Sequence, residues 1–149
     1  MGFKARLPLL AAALWWGSLT AIGFMAVPLL FAHLPTPALA GGMAAKLFSA
    51  QTWMSLGCGL VLLMVSRGSV QAEPVEAAQS PSTSSGRTDW LVFVLAGLIL
   101  ALLMEFAVAP RIVGRQNLAL WHSAGSAMYL AQWACAGIAL WKLSRAGAS

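Results

Sequence analysis

Acidic residues are nearly missing from this chain: four Asp and Glu stand beside nine Lys and Arg in 149 residues. Charged residues of both signs make up only 9%, where a soluble domain carries about a quarter. A water-exposed surface of ordinary composition is therefore excluded. Cysteine is also scarce, and Cys58 and Cys135 both fall inside apolar runs, so there is no disulfide framework and no paired-Cys metal motif. Both read as small packing residues. Histidine is limited to His33 and His122. The net charge of +5 does not point to nucleic acid, because no basic patch interleaves with aromatics. The basic residues flank the apolar runs, where a membrane protein uses them to set its orientation.

What is present is hydrophobic, at 60% of the chain. Four apolar runs, 7–31, 43–65, 90–109 and 118–141, take up most of the length. A hydrocarbon core ~30 Å thick needs ~20 apolar residues at a rise of ~1.5 Å each, and all four qualify. The expectation is an all-α integral membrane bundle of four transmembrane helices, two antiparallel hairpins joined by a disordered linker, as one membrane domain over 1–149. Lys4 and Arg6, with Ala38, Leu39 and Ala40 behind them, imitate a secretory signal. The apolar stretch between is ~25 residues, too long for a signal core of 7–15, so a retained helix is expected.

Proline and glycine punctuate these runs. Helix 1 opens at Leu7 and Pro8, where a missing N–H costs nothing in a first turn. Pro28 kinks or closes its last turn, and His33 to Pro37 is a turn. Gly41 and Gly42 precede helix 2, part of 38–51 lying along the interface. The segment 66–89 has the Pro/Ser/Gly bias of a solvated tether. Helix 3 is expected to break at Pro110, and a short turn from Arg111 to Asn117 leads into helix 4. With four spans, Lys4, Arg6, Arg67, Arg87, Lys142 and Arg145 share one side, with Lys46, Arg111 and Arg115 on the other. That asymmetry places both termini in the cytoplasm, across a bacterial inner membrane.

Lipid tails remove the hydrophobic drive between helices, so small residues at spacing four are expected to face other helices. Ser123, Ala127, Ala131, Cys135 and Ala139 form such a ridge on helix 4, and Ala13, Gly17 and Ala21 a shorter one on helix 1. Trp121 and Trp141 suit the two interfacial belts, and Trp90 the cytoplasmic one. Trp15, Trp16 and Trp133 lie deeper, and their indole N–H groups need acceptors such as Ser18, Gln132 or a backbone carbonyl.

Glu105 is the only carboxylate within a span, which makes it a functional candidate by default. His122 lies equally far on the other side of the turn near Val113 and Gly114, so an antiparallel hairpin sets the two at one depth. A carboxylate–imidazole bond is the expected contact. Lys46, His33 and Arg111 belong to the same leaflet. Three readings stay open: a structural clasp, a proton-linked or small-solute pathway, and metal or haem ligation by the two histidines. The Met residues near the bundle ends are ordinary filler. Ser123 beside His122 points elsewhere along a helix, so there is no hydrolase pair and no enzyme is expected. The lipid bilayer is the one expected partner, with a second copy or another membrane protein left open. No cofactor follows from the residues.

Trp16, Gly17 and Ser18, then Pro28 to Phe31 with Leu34, and Lys46 to Phe48, form one set of motifs. Glu105, Pro110 to Ile112, Trp121, His122 and Tyr129 form a second. Together they resemble the transmembrane protein 205-like family, whose bacterial members carry domain of unknown function 4149. The resemblance implies a small multi-helix membrane protein without an assigned activity. It further implies that Glu105, Pro110, Trp121 and His122 belong to the family's pattern. A distant likeness to copper-resistance and haem-associated bundles keeps the ligation reading open by analogy.

Overall fold

A computed structural model describes residues 3–71 and 85–146. Every described element is helical: α1 (Phe3–Ala21), α2 (Val27–His33), α3 (Pro37–Gln71), α4 (Ser85–Leu103), α5 (Ala109–Val113) and α6 (Leu118–Ala146). A π-turn at Ile22–Ala26 joins α1 to α2, and a second at Met104–Val108 joins α4 to α5. The chain thus forms four rods: α1 to α2, α3, α4 to α5, and α6. Each rod packs on its neighbour in order, and the first also packs on the fourth.

Three of the rods, Arg6–His33, Pro37–Arg67 and Asp89–Val113, are long and apolar enough to cross a membrane, at mean hydropathies of 1.6, 1.5 and 2.7. The fourth, α6, has the length at 29 residues but not the apolarity. Its run is diluted by His122, Ser123, Ser126 and Gln132. Leu10, Leu14, Met25, Trp53, Met64 and Phe106 are all exposed, an outer surface suited to lipid and not to water.

Several element boundaries differ from those expected, for identifiable reasons. Neither Pro28 nor Pro110 ends its helix. In each rod the bond just before the proline spans five residues instead of four, from Val27 N–H to the Ile22 carbonyl and from Ala109 N–H to that of Met104. The extra residue makes room for the ring, and the helix resumes to His33 and Val113. Helix 1 starts by Phe3, with Pro8 inside its second turn. The second rod starts at Pro37, not 43, because Thr36 caps it: Leu39 N–H donates to Thr36 Oγ1 at 3.2 Å, with proline next to the cap. Gly41 and Gly42 therefore continue a helix. Leu34, before Pro35, is extended at φ −80° and ψ 144°, which is what ends α2. The expected linker 66–89 is helical at both edges, to Gln71 and from Ser85, and 72–84 lies outside the described residues. The turn between α5 and α6 narrows to 114–117, with Arg115 and Asn117 at φ 52° and 37°.

The second half of the chain repeats the first. The π-turns lie 82 residues apart, at Ile22–Ala26 and Met104–Val108, each followed two residues later by a proline. The long rods begin 81 residues apart, at Pro37 and Leu118. The buried positions match at the same offsets: Ala12 with Val94, Trp15 with Gly97, Leu19 with Ala101, then Gln51 with Gln132, Ser55 with Ala136, Cys58 with Ala139. Mates meet at the centre, where the Trp15 ring lies so close over Gly97 that a Cβ there would stand 2.7 Å from it.

Candidate functional site

The buried polar side chains among the described residues are Gln51, Thr52, Ser55 and Gln132. Gln51 and Ser55 are one helical turn apart and so share the inward face of α3. Ser55 Oγ donates to the Gln51 carbonyl at 2.8 Å, and Ser18 Oγ to the Trp15 carbonyl at 2.9 Å. Each hydroxyl proton is thereby committed to its own helix, which leaves the oxygen free to accept. Gln51 Nε2 donates to Ser18 Oγ at 3.0 Å and to Ser55 Oγ at 3.3 Å, and Gln132 Nε2 donates to Ser55 Oγ at 3.0 Å. The same logic fixes the Gln51 amide, since a reversed amide would turn its oxygen toward hydroxyls with no proton left to give. Three rods meet in this knot, near the middle of each. Among the described residues two buried side-chain polar atoms have no hydrogen-bond partner: Gln51 Oε1 and Trp15 Nε1.

Toward the turn end of the bundle, the π-turns hold the next polar groups. Tyr129 Oη of α6 donates to the Leu19 carbonyl at 2.8 Å, and the Gly23 backbone amide faces the phenol oxygen itself. Leu19 and Gly23 are the pair that an unbroken α-helix would bond together, so the phenol sits where the first rod opens. Only glycine permits this approach, because a Cβ at position 23 would overlap the Tyr129 ring. In the second π-turn the matching position is Glu105. Its Oε1 accepts from Ser49 Oγ at 2.6 Å, the length usual for a hydroxyl on a carboxylate. Two polar groups, the Glu105–Ser49 pair and the knot of Gln51, Ser55, Gln132 and Ser18, between them touch all four rods.

Of the charged and histidine residues singled out from sequence, Glu105 alone joins this interior. No hydrogen bond or ion pair links it to His122 among the described residues, and His122 is exposed. His33 is exposed too, its Nδ1 3.0 Å from the Leu29 carbonyl, and Lys46 is exposed. The Arg111 guanidinium lies 4.6 Å over the Trp121 ring and donates to the Ala107 carbonyl. These residues share an end of the molecule but do not converge. Among the described residues no three of His, Cys, Asp and Glu come together to hold a metal ion.

The small-residue ridges also face differently from the expectation. Ala13, Gly17 and Ala21 are exposed, as are Ser123, Ala127 and Ala131, while Cys135 is half-buried and Ala139 buried. A step of four residues turns a helix by ~40° beyond a full circle, so a ridge of five winds from the outer face to the inner one. Trp133 Nε1 finds Thr20 Oγ1 at 2.9 Å, an acceptor the sequence does not single out. Ser49, Gln51 and Ser55 are site residues that the sequence-based expectations do not single out. A polar pair at spacing four inside an apolar run was the available signal.

With every described element helical and this apolar exterior, the chain belongs to the class of helical membrane proteins. The family model described as a domain of unknown function, DUF4149, matches residues 10–120, and the chain belongs to that family. The match includes Glu105, Ser49 and Gln51 and stops short of His122, Tyr129 and Gln132. No curated protein and no solved structure matches this chain.

Proposed function

We propose that this protein crosses a bacterial inner membrane four times, as two antiparallel hairpins with both termini in the cytoplasm. Its polar interior handles a proton or a small polar solute, with Glu105 as the ionisable group. Four crossings make α6 a span despite its lower apolarity, its polar residues being partly turned inward. The motifs around Trp16, Lys46 and Pro110 support kinship with transmembrane protein 205-like proteins as part of the same proposal.

The observation that carries the reading is a pair of orphaned buried atoms, Gln51 Oε1 in the central knot and the Trp15 Nε1 donor of the first rod, in residues 3% and 0% exposed. A network that only held helices together would be complete, because each unpaired buried group costs about 1–3 kcal/mol. Here an acceptor and a donor stand ready for a passing group. The knot also sits where the two repeats meet at mid-span, the place where repeat-built transporters bind their solutes. No catalytic step is part of the proposal. A metal-handling variant finds no ligand cluster among the described residues to support it.

The test is reconstitution into vesicles, with proton flux read by an entrapped pH dye and glycerol entry by light scattering. The wild type is expected to exceed protein-free vesicles in one assay, and Glu105→Gln or Gln51→Leu to lose the excess while remaining folded. Flux equal to protein-free vesicles in both assays refutes the reading. The second reading, a structural clasp, rests on the Glu105–Ser49 pair and the central knot, which between them reach all four rods. It predicts that Glu105→Gln and Gln51→Leu lower stability and change nothing else.

A further inference from the structure

A groove of about 470 Å³ runs along the outside of the seam between the first and fourth rods, lined by Trp16, Trp133, Ala134, Gly137, Ile138 and Trp141. Three indoles form its walls, and Gly137 and Ala134 keep its floor low. Its size is that of a pocket for one elongated apolar group. Nothing in the polar interior uses it.

The groove has a basic end. The Arg145 guanidinium stacks 4.2 Å over the Trp141 ring, one turn beyond the last groove residue. Along this seam Thr20 meets Trp133 and Trp16 meets Gly137, so the two rods run past each other in opposite directions. Arg6 lies ten residues before Trp16, about 15 Å along its rod, and Arg145 eight residues after Gly137, about 12 Å. Both arginines therefore cap the same end. Both are exposed, and neither is in an ion pair among the described residues. The neighbouring Lys142 differs, since its charge is met by Asp89 at 3.5 Å.

We propose that this groove binds an anionic phospholipid. One acyl chain lies against Trp16, Trp133 and Trp141, and the headgroup phosphate is held by Arg145 and Arg6. The charge at the mouth selects the occupant: an apolar groove alone would take any chain, whereas two uncompensated guanidiniums favour a headgroup with net negative charge. Indole stacking on Arg145 holds the guanidinium at the mouth and leaves its N–H edge free to donate to phosphate.

The experiment is quenching of tryptophan fluorescence in phosphatidylcholine vesicles doped with chain-brominated phosphatidylglycerol or chain-brominated phosphatidylcholine. A basic residue near the surface contributes about fivefold to anionic lipid binding, so two should give roughly a 25-fold preference for phosphatidylglycerol. Arg145→Gln should reduce that preference about fivefold, and the Arg6→Gln/Arg145→Gln pair should abolish it. Ala134→Phe, an exposed position, should plug the groove and remove preferential quenching with both arginines in place. Equal quenching by the two brominated lipids in the wild type overturns the proposal. So does a preference that survives either the double arginine variant or Ala134→Phe. The interior flux tests do not touch this outcome, because no groove residue belongs to the central knot.

Discussion

Gly23→Ala and Gly17→Ala make the same chemical change in the same rod and should have opposite effects. At position 23 the new methyl group overlaps the Tyr129 ring, which is buried and held by its bond to the Leu19 carbonyl. Overpacking of this kind costs about 1–3 kcal/mol. Displacing the phenol forfeits a further ~0.6–1 kcal/mol, the range for a hydrogen bond between membrane helices or in a protein generally. Replacing helical glycine returns ~0.5–1 kcal/mol, so the net loss is about 1–3 kcal/mol. At position 17 a Cβ meets nothing within 4 Å, so only the return of ~0.5–1 kcal/mol remains. The two variants should therefore differ by about 2–4 kcal/mol. Titration of detergent-solubilised protein with a denaturing surfactant, followed by helical circular dichroism, reads that difference. Gly23→Ala should also cost far less in a Tyr129→Ala background, where the ring is gone. Equal stability of the two single variants, or no relief in that background, would show that the phenol does not hold the first π-turn.

Ser55→Ala should cost about 1–2 kcal/mol, because it removes the acceptor shared by two glutamine amides without changing the packing size seen at its mate Ala136. Gln132→Leu should cost less in that background than alone; strict additivity in the same titration would mean that the two side chains do not interact. Arg115→Gly should raise stability by ~0.5–1 kcal/mol, because Arg115 adopts φ 52°, a left-handed conformation costly for a residue with a Cβ. Asn117→Gly at φ 37° should gain less, since asparagine tolerates that region; the reverse order would discount strain in this turn.

Apolar length made the first three rods legible, because a run of ~20 apolar residues has few other uses. The proline positions were legible and their effect was not. A proline is read as a stop, yet a π-turn two residues upstream of Pro28 and of Pro110 absorbs the missing N–H, and nothing local marks where the extra residue goes. Glu105 stands out because a carboxylate within a span is rare, whereas nothing in the sequence marks Ser49 as its partner. Equal distance from a turn fixes depth along a rod and says nothing about rotation around it. Glu105 turns toward Ser49 on the second rod, and His122 turns outward. The repeat was hidden for a similar reason. The offset slips from 82 to 81 across the turn, and identities such as Phe24 with Phe106 and Gln51 with Gln132 are scattered among alanines and leucines.

The repeat also explains why the polar interior is one-sided. Two identical halves would bring identical side chains together on their common axis, where a large group would collide with its own copy. In this chain the mates are complementary instead: Trp15 lies over Gly97, and Ser55 is matched by Ala136. Gly23, which admits the Tyr129 ring, is matched by Glu105, while Tyr129 itself is matched by Phe48, whose ring it meets edge-on at 5.2 Å. Each substitution removes bulk or a hydroxyl from one half and leaves it in the other. One π-turn is consequently closed by a neutral phenol, and the other carries the carboxylate. Both glutamines survive as mates and both donate to Ser55, whose own mate Ala136 carries no hydroxyl. The hydroxyl protons of Ser55 and Ser18 go to carbonyls of their own helices, so neither serine donates to the Gln51 side chain, and Gln51 Oε1 is left as the unsatisfied side-chain acceptor at the centre of the described bundle.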